Sequence, residues 1–248
     1  AYWQKGTNNN DGYESGLPSV MDFPLMNAMH KAFDEKENWN EGLIRLYNSL
    51  ASDYLYPDRD KLFTFLENHD TDRVMTIMNG DINKFKISLA FLLTTRGIPQ
   101  LYYGGEIMME GRKSDGDGVM RIDFPGGWEG DERNAFTQED RTDLENEAFN
   151  FQKKLLNYRK NNPVLHTGKL KHFVPENDTY VYFRSNKEKM IMVLLNNSDE
   201  FAKTVDCKRF DEVMAGFTSA TNVMTEEKLN DISTIEVPAK SVMILELN

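Results

Sequence analysis

The sequence predicts an α/β unit followed by an all-β domain. In the first part of the chain, short apolar runs typical of strands alternate with stretches whose apolar residues recur at helical spacing. Strand, helix, strand, helix, strand, helix is the order expected of a parallel sheet covered by helices. After Pro163 the pattern changes to short apolar runs between polar turns, which indicates an antiparallel β-sandwich or barrel. We therefore expect one domain over residues 1–160 and a second over residues 161–248.

Three strands and three helices are predicted before residue 161. The strands are expected at residues 17–25, 61–68 and 98–106, and the first two helices at 41–54 and 81–97. Asp81 is placed to cap the second helix and Gly97 to end it. The segment 137–140 looks like a capping box that opens a third helix. Three such units are too few for a closed (β/α)8 barrel, which typically needs about 250 residues.

The second domain is predicted from six apolar runs. Several of them alternate between apolar and polar residues, as expected of a strand with one buried face. The six runs are residues 169–176, 179–185, 189–197, 201–207, 233–239 and 241–248.

The composition of the chain argues against several classes of binding partner. Of the 248 residues, 40% are hydrophobic and 28% charged, which is typical of a globular chain, and the formal net charge is −11. This acidic balance argues against nucleic acid and against an anionic membrane as partners, and favours a neutral or cationic ligand. No apolar run is long enough for a transmembrane helix. Cys207 is the single cysteine, so neither an intramolecular disulfide nor a cysteine-rich zinc site is expected.

The stretch FLENHDTDR at residues 65–73 places Asn68, His69 and Asp70 directly after the second predicted strand. In parallel α/β folds the reactive groups lie at the carboxyl ends of strands. An aspartate beside a histidine at such a place can bind sugar hydroxyls and stabilise positive charge that develops in a transition state. The alternative is an ordinary loop, in which the aspartate and asparagine cap the next turn.

Four segments, in order, resemble the α-amylase family of glycoside hydrolases. SVMDFPL (19–25), FLENHD (65–70) and GIPQLYYGGE (97–106) resemble the strand-six, strand-seven and strand-eight motifs of that family. RIDFPGGWEGDERNAF (121–136) resembles its neopullulanase and cyclomaltodextrinase branch. The β-rich remainder is similar to the domain that follows the barrel in this family.

This resemblance implies a specific fold and function. The chain would be the C-terminal portion, about three βα units, of a (β/α)8 TIM barrel followed by an antiparallel β-sandwich domain. Asp70 would be the transition-state stabiliser among three catalytic carboxylates, and His69 would bind the same sugar. The nucleophile and the general acid belong to strands four and five, which we expect in a missing N-terminal part of the same polypeptide. The full protein would then be a retaining hydrolase of maltooligosaccharides, cyclodextrins or pullulan, and this chain alone would be inactive.

For each of the other candidate residues, a purely structural role is the alternative to a role in the site. The resemblance suggests that Arg121 contacts the sugar, although a surface ion pair would equally explain it. Tyr2, Trp3, Trp39 and Trp128 could stack on sugar rings, with buried packing favoured for Trp39 and a ligand contact for Trp128. Arg73 is expected either to orient Asp70 or to lie on the surface. Tyr102 and Tyr103 are expected to pack in the barrel.

No organic cofactor is expected, and metal sites have little support in the sequence. Asp115 and Asp117 leave a loose calcium site open, but Val119 and Gly126 occupy positions where an EF-hand loop needs oxygen ligands. His166 and His172 have no third ligand nearby, so zinc is not expected. Two other functions stay open: a non-catalytic sugar-binding or scaffolding protein, and a transglycosylase of the same family.

Overall fold

The computed structural model describes residues 4–7 and 14–248. Its first part contains short parallel strands and the helices that cover them: α1 Phe23–Ala32, α2 Ile44–Ala51, β1 Phe63–Phe65, α3 Val74–Ile77, α4 Ile82–Thr94, β2 Ile98–Gln100 and α5 Asp143–Asn161. Short 3₁₀ helices lie between them: Ser52–Leu55, Arg59–Lys61, Gly105–Ile107, Lys113–Asp115 and Asp117–Arg121.

The second part begins with a short helix and is mainly β-structure. Its elements are α6 Val164–Thr167, β3 Lys169–His172, β4 Thr179–Ser185, β5 Met190–Asn196, β6 Lys203–Asp206, the 3₁₀ helix Cys207–Phe210, α7 Asp211–Met214, β7 Ala220–Asn222, β8 Lys228–Leu229, β9 Thr234–Val237 and β10 Ser241–Leu247. Among the described residues, no helix is both long and apolar enough to cross a membrane.

Two of the three predicted parallel strands are present, and the first is reduced to a single bridge. Strands β1 and β2 pair in parallel with Phe63 opposite Ile98. Met21 forms a parallel bridge to Phe63 on the other side. The expected strand at 17–25 is otherwise wrong, because the Asp22 carboxylate accepts the Leu25 N–H at 3.1 Å and helix α1 begins at Phe23. A short apolar run does not distinguish a strand from a buried helix.

Helix α4 is buried around most of its circumference. Asp81 caps it as predicted, with its carboxylate accepting the N–H groups of Asn83 and Lys84 at 2.8 and 3.2 Å. The helix ends at Thr94, before the predicted Gly97. Gly97 instead adopts a φ of +92°, and a Cβ there would lie 2.8 Å from the carbonyl oxygen of Leu62. Its glycine therefore allows the chain to enter β2 close beside β1.

Helix α5 begins later than the sequence suggested. The capping box is formed by Thr142 and Glu145, whose side chains each accept a hydrogen bond from the other residue's backbone N–H. The predicted box at 137–140 is therefore wrong, because a second Thr-x-x-acid pattern follows it directly. The predicted stop is correct, since the helix ends at Asn161.

The all-β prediction is confirmed. Strands β3 to β10 form an antiparallel six-stranded sheet in the order β3-β4-β5-β10-β7-β8 and a two-stranded sheet of β6 and β9. All six predicted runs contain a strand, and β7 and β8 were not foreseen. Apolar side chains between the two sheets form one core.

The two parts of the chain share a second, larger core. Residues of α1, α2 and α4 pack against the other face of the six-stranded sheet. The guanidinium of Arg184 donates to the carbonyl oxygens of Thr94 and Gly168, each at 3.0 Å. Arg159 donates to the Leu93 carbonyl at 2.7 Å. The carboxyl end of α4, immediately before β2, is thus fixed by both parts of the chain.

Candidate active site

The loop after β1 forms a tight turn that leaves the Asp70 carboxylate exposed. The Asn68 side-chain oxygen accepts the Asp70 N–H at 2.8 Å, and the Asn68 N–H donates to the Thr71 hydroxyl at 3.0 Å. Asn68 therefore stabilises the turn, which is the role expected of it if this segment were an ordinary loop. The Asp70 carboxylate takes no part in this turn, and 56% of its side chain is exposed.

Three of the four predicted site residues come together around this carboxylate. One Asp70 oxygen lies 3.2 Å from His69 Nε2, and the other accepts a hydrogen bond from Arg121 Nη2 at 2.9 Å. Arg121 Nε also donates to the His69 carbonyl at 3.1 Å. Because Arg121 lies at the end of a 3₁₀ helix far along the chain, only the fold brings it to the end of β1.

A lysine that the sequence analysis missed closes the same cluster. Lys113 Nζ donates to the Asp70 carbonyl at 2.7 Å, and the Lys113 N–H donates to the Asp72 carboxylate. Lys113 lies in the charge-rich stretch 106–136, where no spacing distinguishes it from its neighbours. Asp70 thus has three basic side chains around it, those of His69, Lys113 and Arg121. We call these four residues the Asp70 cluster.

Arg73 lies beneath the cluster, and neither expectation for it was correct. Its side chain is fully buried. Arg73 Nη1 donates to the Tyr103 carbonyl at 2.6 Å and lies 3.3 Å from Glu67 Oε1. The guanidinium stacks 4.2 Å from the ring centroid of Tyr102 and 5.0 Å from that of Tyr103. A buried guanidinium with an aromatic face on one side and a carboxylate on the other fixes the base of the loop.

The same two tyrosines hold the segment that carries Arg121. The hydroxyl of Tyr102 donates to the Met120 carbonyl at 3.3 Å, and that of Tyr103 donates to the Ile122 carbonyl at 2.7 Å. These contacts lie on either side of Arg121. Tyr102 is half-buried and Tyr103 is exposed, and through these hydroxyl contacts they position this segment in addition to packing against Arg73.

Glu67, three positions before Asp70, is a buried carboxyl group. It accepts the Val74 N–H, and its nearest cation is Arg73. Burial raises the pKa of Glu67 from 4.5 to about 7, and the Val74 hydrogen bond and the charge of Arg73 only partly oppose this shift.

This raised pKa predicts a stability that falls at neutral pH. Because the folded-state pKa lies above the unfolded one, the contribution of Glu67 is fully present below about pH 4.5 and is lost as the pH rises through about 7. The free energy of unfolding of the natural chain and of Glu67→Gln is measured in urea at both ends of this range. Relative to the variant, the natural chain should lose about 3 kcal/mol of stability as the pH rises. A stability difference that does not change with pH would show that the pKa of Glu67 is not raised.

Trp128 and Trp39 do not contact the Asp70 cluster. Trp128 is exposed in a loop whose Asp131 carboxylate accepts the Trp128 N–H at 3.1 Å and the Gly126 N–H at 2.9 Å. The expected burial of Trp39 is wrong, because 88% of it is exposed. Tyr2 and Trp3 lie outside the described residues.

The structure does not support the metal sites considered from the sequence. Across residues 4–7 and 14–248, no group of three or more His, Cys, Asp or Glu side chains could hold a metal ion. Asp117 lies 3.6 Å from Arg121 Nη2, and this positive charge opposes a calcium ion at that carboxylate. One ring nitrogen of each histidine is hydrogen-bonded: His166 Nε2 to the Arg159 carbonyl and His172 Nδ1 to the Tyr180 hydroxyl, each at 2.8 Å.

The Asp70 cluster is suited to binding a polyhydroxylated ligand. A carboxylate, an imidazole and a guanidinium with exposed edges together offer both acceptors and donors to neighbouring hydroxyl groups. An exposed carboxylate can also stabilise positive charge that develops in a bound ligand.

Two family models match almost the whole chain. The model described as alpha amylase, catalytic domain, matches residues 3–168, and the cyclo-malto-dextrinase C-terminal domain matches residues 170–246. A cyclomaltodextrin glucanotransferase of Thermoanaerobacterium thermosulfurigenes is 31% identical over 79% of this chain and 25% of its own length. A cyclomaltodextrinase of Thermoanaerobacter pseudethanolicus is 30% identical over 73% of this chain and 29% of its own length. The chain thus spans between a quarter and a third of these relatives.

Solved structures share the fold. An alpha-amylase from Geobacillus thermoleovorans, complexed with acarbose, superposes with a TM-score of 0.74 over 94% of this chain and 49% of that chain, at 21% identity. A cyclomaltodextrinase superposes with a TM-score of 0.70 over 94% of this chain and 37% of that chain, also at 21% identity.

Proposed function

Because the chain belongs to the alpha-amylase family, we propose that it forms the C-terminal part of a retaining α-glucan hydrolase. Asp70 is the transition-state stabiliser of the proposed reaction, and His69 and Arg121 bind the same sugar. The nucleophile and the general acid come from barrel strands that precede these three. In a retaining glycosidase those two carboxyl groups lie about 5–5.5 Å apart across the scissile bond.

The convergence of Asp70, His69 and Arg121 carries this proposal. Two of these residues follow β1, and the third comes from a 3₁₀ helix some fifty positions later. All three side chains remain between 42% and 59% exposed despite these contacts. A structural ion pair alone would not need the histidine, nor the two tyrosines that hold the backbone around Arg121.

The parallel strands support a larger barrel. Large apolar side chains on and beside β1 and β2 are exposed in this chain: Phe23, Phe63, Ile98 and Leu101. Parallel sheets are normally covered on both faces, and an unpaired strand edge is a site for further pairing. We propose that preceding strands of the same polypeptide cover this face and complete the site around Asp70.

The proposed substrates are neutral α-glucans: maltooligosaccharides, cyclodextrins or pullulan. The relatives named cyclomaltodextrinase and cyclomaltodextrin glucanotransferase support this substrate class. The net charge of −11 agrees with a neutral ligand.

The test compares two proteins on the same substrates. An antibody raised to this chain captures the natural protein from source cells, and its mass and its hydrolysis of β-cyclodextrin, maltoheptaose and pullulan are measured beside the 248-residue chain. We expect a larger polypeptide that releases α-anomeric products, as seen by proton NMR, and no hydrolysis by the chain alone. A captured protein of the chain's own size without hydrolysis would overturn the proposal and favour a non-catalytic sugar-binding or scaffolding role.

Transfer to a sugar acceptor is the second candidate reaction. It is favoured by the relative named cyclomaltodextrin glucanotransferase. Products longer than the substrate, or cyclic ones, would identify transfer, whereas only shorter products would identify hydrolysis.

A further inference from the structure

Trp39 is the most exposed large apolar side chain of the described residues. It lies in the connection between α1 and α2, on a turn in which its N–H donates to the Asn38 side-chain oxygen at 2.7 Å. Asn38 and Glu41 bridge the base of this turn through their backbones. A single exposed apolar side chain is common on protein surfaces, but an indole ring beside a groove can stack on a ligand that enters it.

The turn is held rigidly on both sides. The Glu35 carboxylate accepts the Gly42 N–H at 3.0 Å and the Arg45 Nη2 group at 2.8 Å. From the β-domain, the Asp178 N–H donates to the Glu37 carboxylate at 2.6 Å. The backbone that carries Trp39 is therefore held on both sides, and little backbone freedom is lost when a ligand contacts its ring.

A groove lies beside Trp39, between the α1–α2 connection and the β3–β4 connection. We call it the Trp39 groove; it has a volume of about 500 Å³. Its walls combine Trp39 and apolar side chains with amides and carboxylates: Glu37, Asn38, Asn40, Leu43, Ile44, Asn48, Val174, Pro175 and Asp178. A second cavity of about 520 Å³ lies next to it and shares Asn40 and Asn48 in its lining.

Two amides of the Trp39 groove are available to a ligand. Within the described residues, the side chains of Asn40 and Asn48 make no hydrogen bond, and each offers two donors and an acceptor. No lysine or arginine lines this groove, so nothing there attracts an anion. An aromatic plane beside amides and carboxylates matches a neutral ring with one apolar face and a rim of hydroxyl groups.

We propose that the Trp39 groove is a second binding site for α-glucan oligosaccharides, separate from the Asp70 cluster. The choice of an α-glucan rests on the proposed function, whereas the preference for a neutral sugar rests on the groove itself. One sugar ring stacks on Trp39, and its neighbour lies over Asn40 and Asn48. The elements that form the groove carry none of the residues of the Asp70 cluster, so binding there leaves that cluster free.

Native gel electrophoresis in gels with and without soluble starch tests this site. The 248-residue chain, Trp39→Ala and Phe201→Ala, which removes an exposed aromatic ring outside the groove, are compared, with dextran gels as a control for α-1,4 linkage. We expect retardation of the chain and of Phe201→Ala in starch alone, and about tenfold weaker retardation of Trp39→Ala. Circular dichroism checks that all three proteins are folded.

Two outcomes would overturn the second site: equal retardation of Trp39→Ala and the natural chain, or no retardation of the natural chain by starch. Competition by a quaternary ammonium ion that abolishes retardation would also oppose it, because the site would then be a cation site. The outcome is independent of catalysis. Asp70→Asn in the longer protein should lose hydrolysis and keep its retardation, whereas Trp39→Ala should keep hydrolysis of short maltooligosaccharides.

Discussion

Asp70→Asn in the longer natural protein should lower kcat for maltoheptaose roughly 100- to 1,000-fold and leave thermal stability nearly unchanged. The substitution keeps the shape of the side chain and removes its charge. Arg121 and His69 then retain their places, but the carboxylate that would face a developing positive charge is gone. The exposed ion pair with Arg121 contributes at most about 1 kcal/mol, so the fold should tolerate its loss.

The control is Asp123→Asn, two positions from Arg121 in the same acidic loop. Its side chain has no hydrogen bond or ion pair within the described part of the chain, and it is exposed. We expect its kcat to equal that of the natural protein. If Asp70→Asn retained more than a tenth of the activity, or if both variants lost it equally, Asp70 would not be the transition-state stabiliser and the proposed mechanism would fail.

The sequence predicted the architecture well where local chemistry decides structure. The Asp81 cap, the stop at Asn161 and the six apolar runs of the β-domain each depend on residues that are close in the chain. The barrel assignment came from ordered motifs, and the family and fold comparisons confirm the parallel and antiparallel parts. The errors arose where two local patterns compete, as with Pro24, which suits both the edge of a strand and the first turn of a helix.

The candidate site was predictable only in part, because its contacts join distant segments. The motif at 65–70 identifies His69 and Asp70, and the family resemblance identifies Arg121. Nothing in the sequence shows that Lys113 reaches the Asp70 carbonyl. Arg73 illustrates the limit most clearly: an arginine next to polar residues suggests a surface position, yet this one is buried because Glu67 and two tyrosine rings surround its charge.

Arg96→Met should destabilise the chain by about 3–5 kcal/mol, the largest stability change we expect from a single substitution. Arg96 Nη2 donates to Asp53 Oδ1 at 2.6 Å, its Nε lies 3.0 Å from both Asp53 oxygens, and Nη1 donates to Asp22. All three side chains are buried. Since Asp22 starts α1, Asp53 follows α2 and Arg96 follows α4, this triad connects three helices around the parallel strands.

The physical reason for this cost is the charge left behind. Methionine fills much of the volume but leaves two carboxylates close together in the core without a cation. Burial already raises the pKa of Asp53, and its protonation would lower the uncompensated charge, so the deficit measured by urea unfolding should be smaller near pH 5 than near pH 8. The conservative variant Arg96→Lys keeps the charge but loses the forked guanidinium that reaches both aspartates. Its stability should therefore lie between those of the natural chain and Arg96→Met.

Arg45→Met is the matched control, because it breaks a pair between an arginine and a single carboxylate that is partly exposed to water. The side chains of Arg45 and Glu35 are 30% and 24% exposed, and the loss should be at most about 1 kcal/mol. If Arg96→Met does not accumulate as folded protein, Arg96→Gln, which also removes the positive charge, supplies the same pH comparison. Equal deficits for Arg96→Met and Arg45→Met, unchanged by pH, would show that water or neighbouring groups already compensate the two aspartates, and the triad would not be what holds the three helices together.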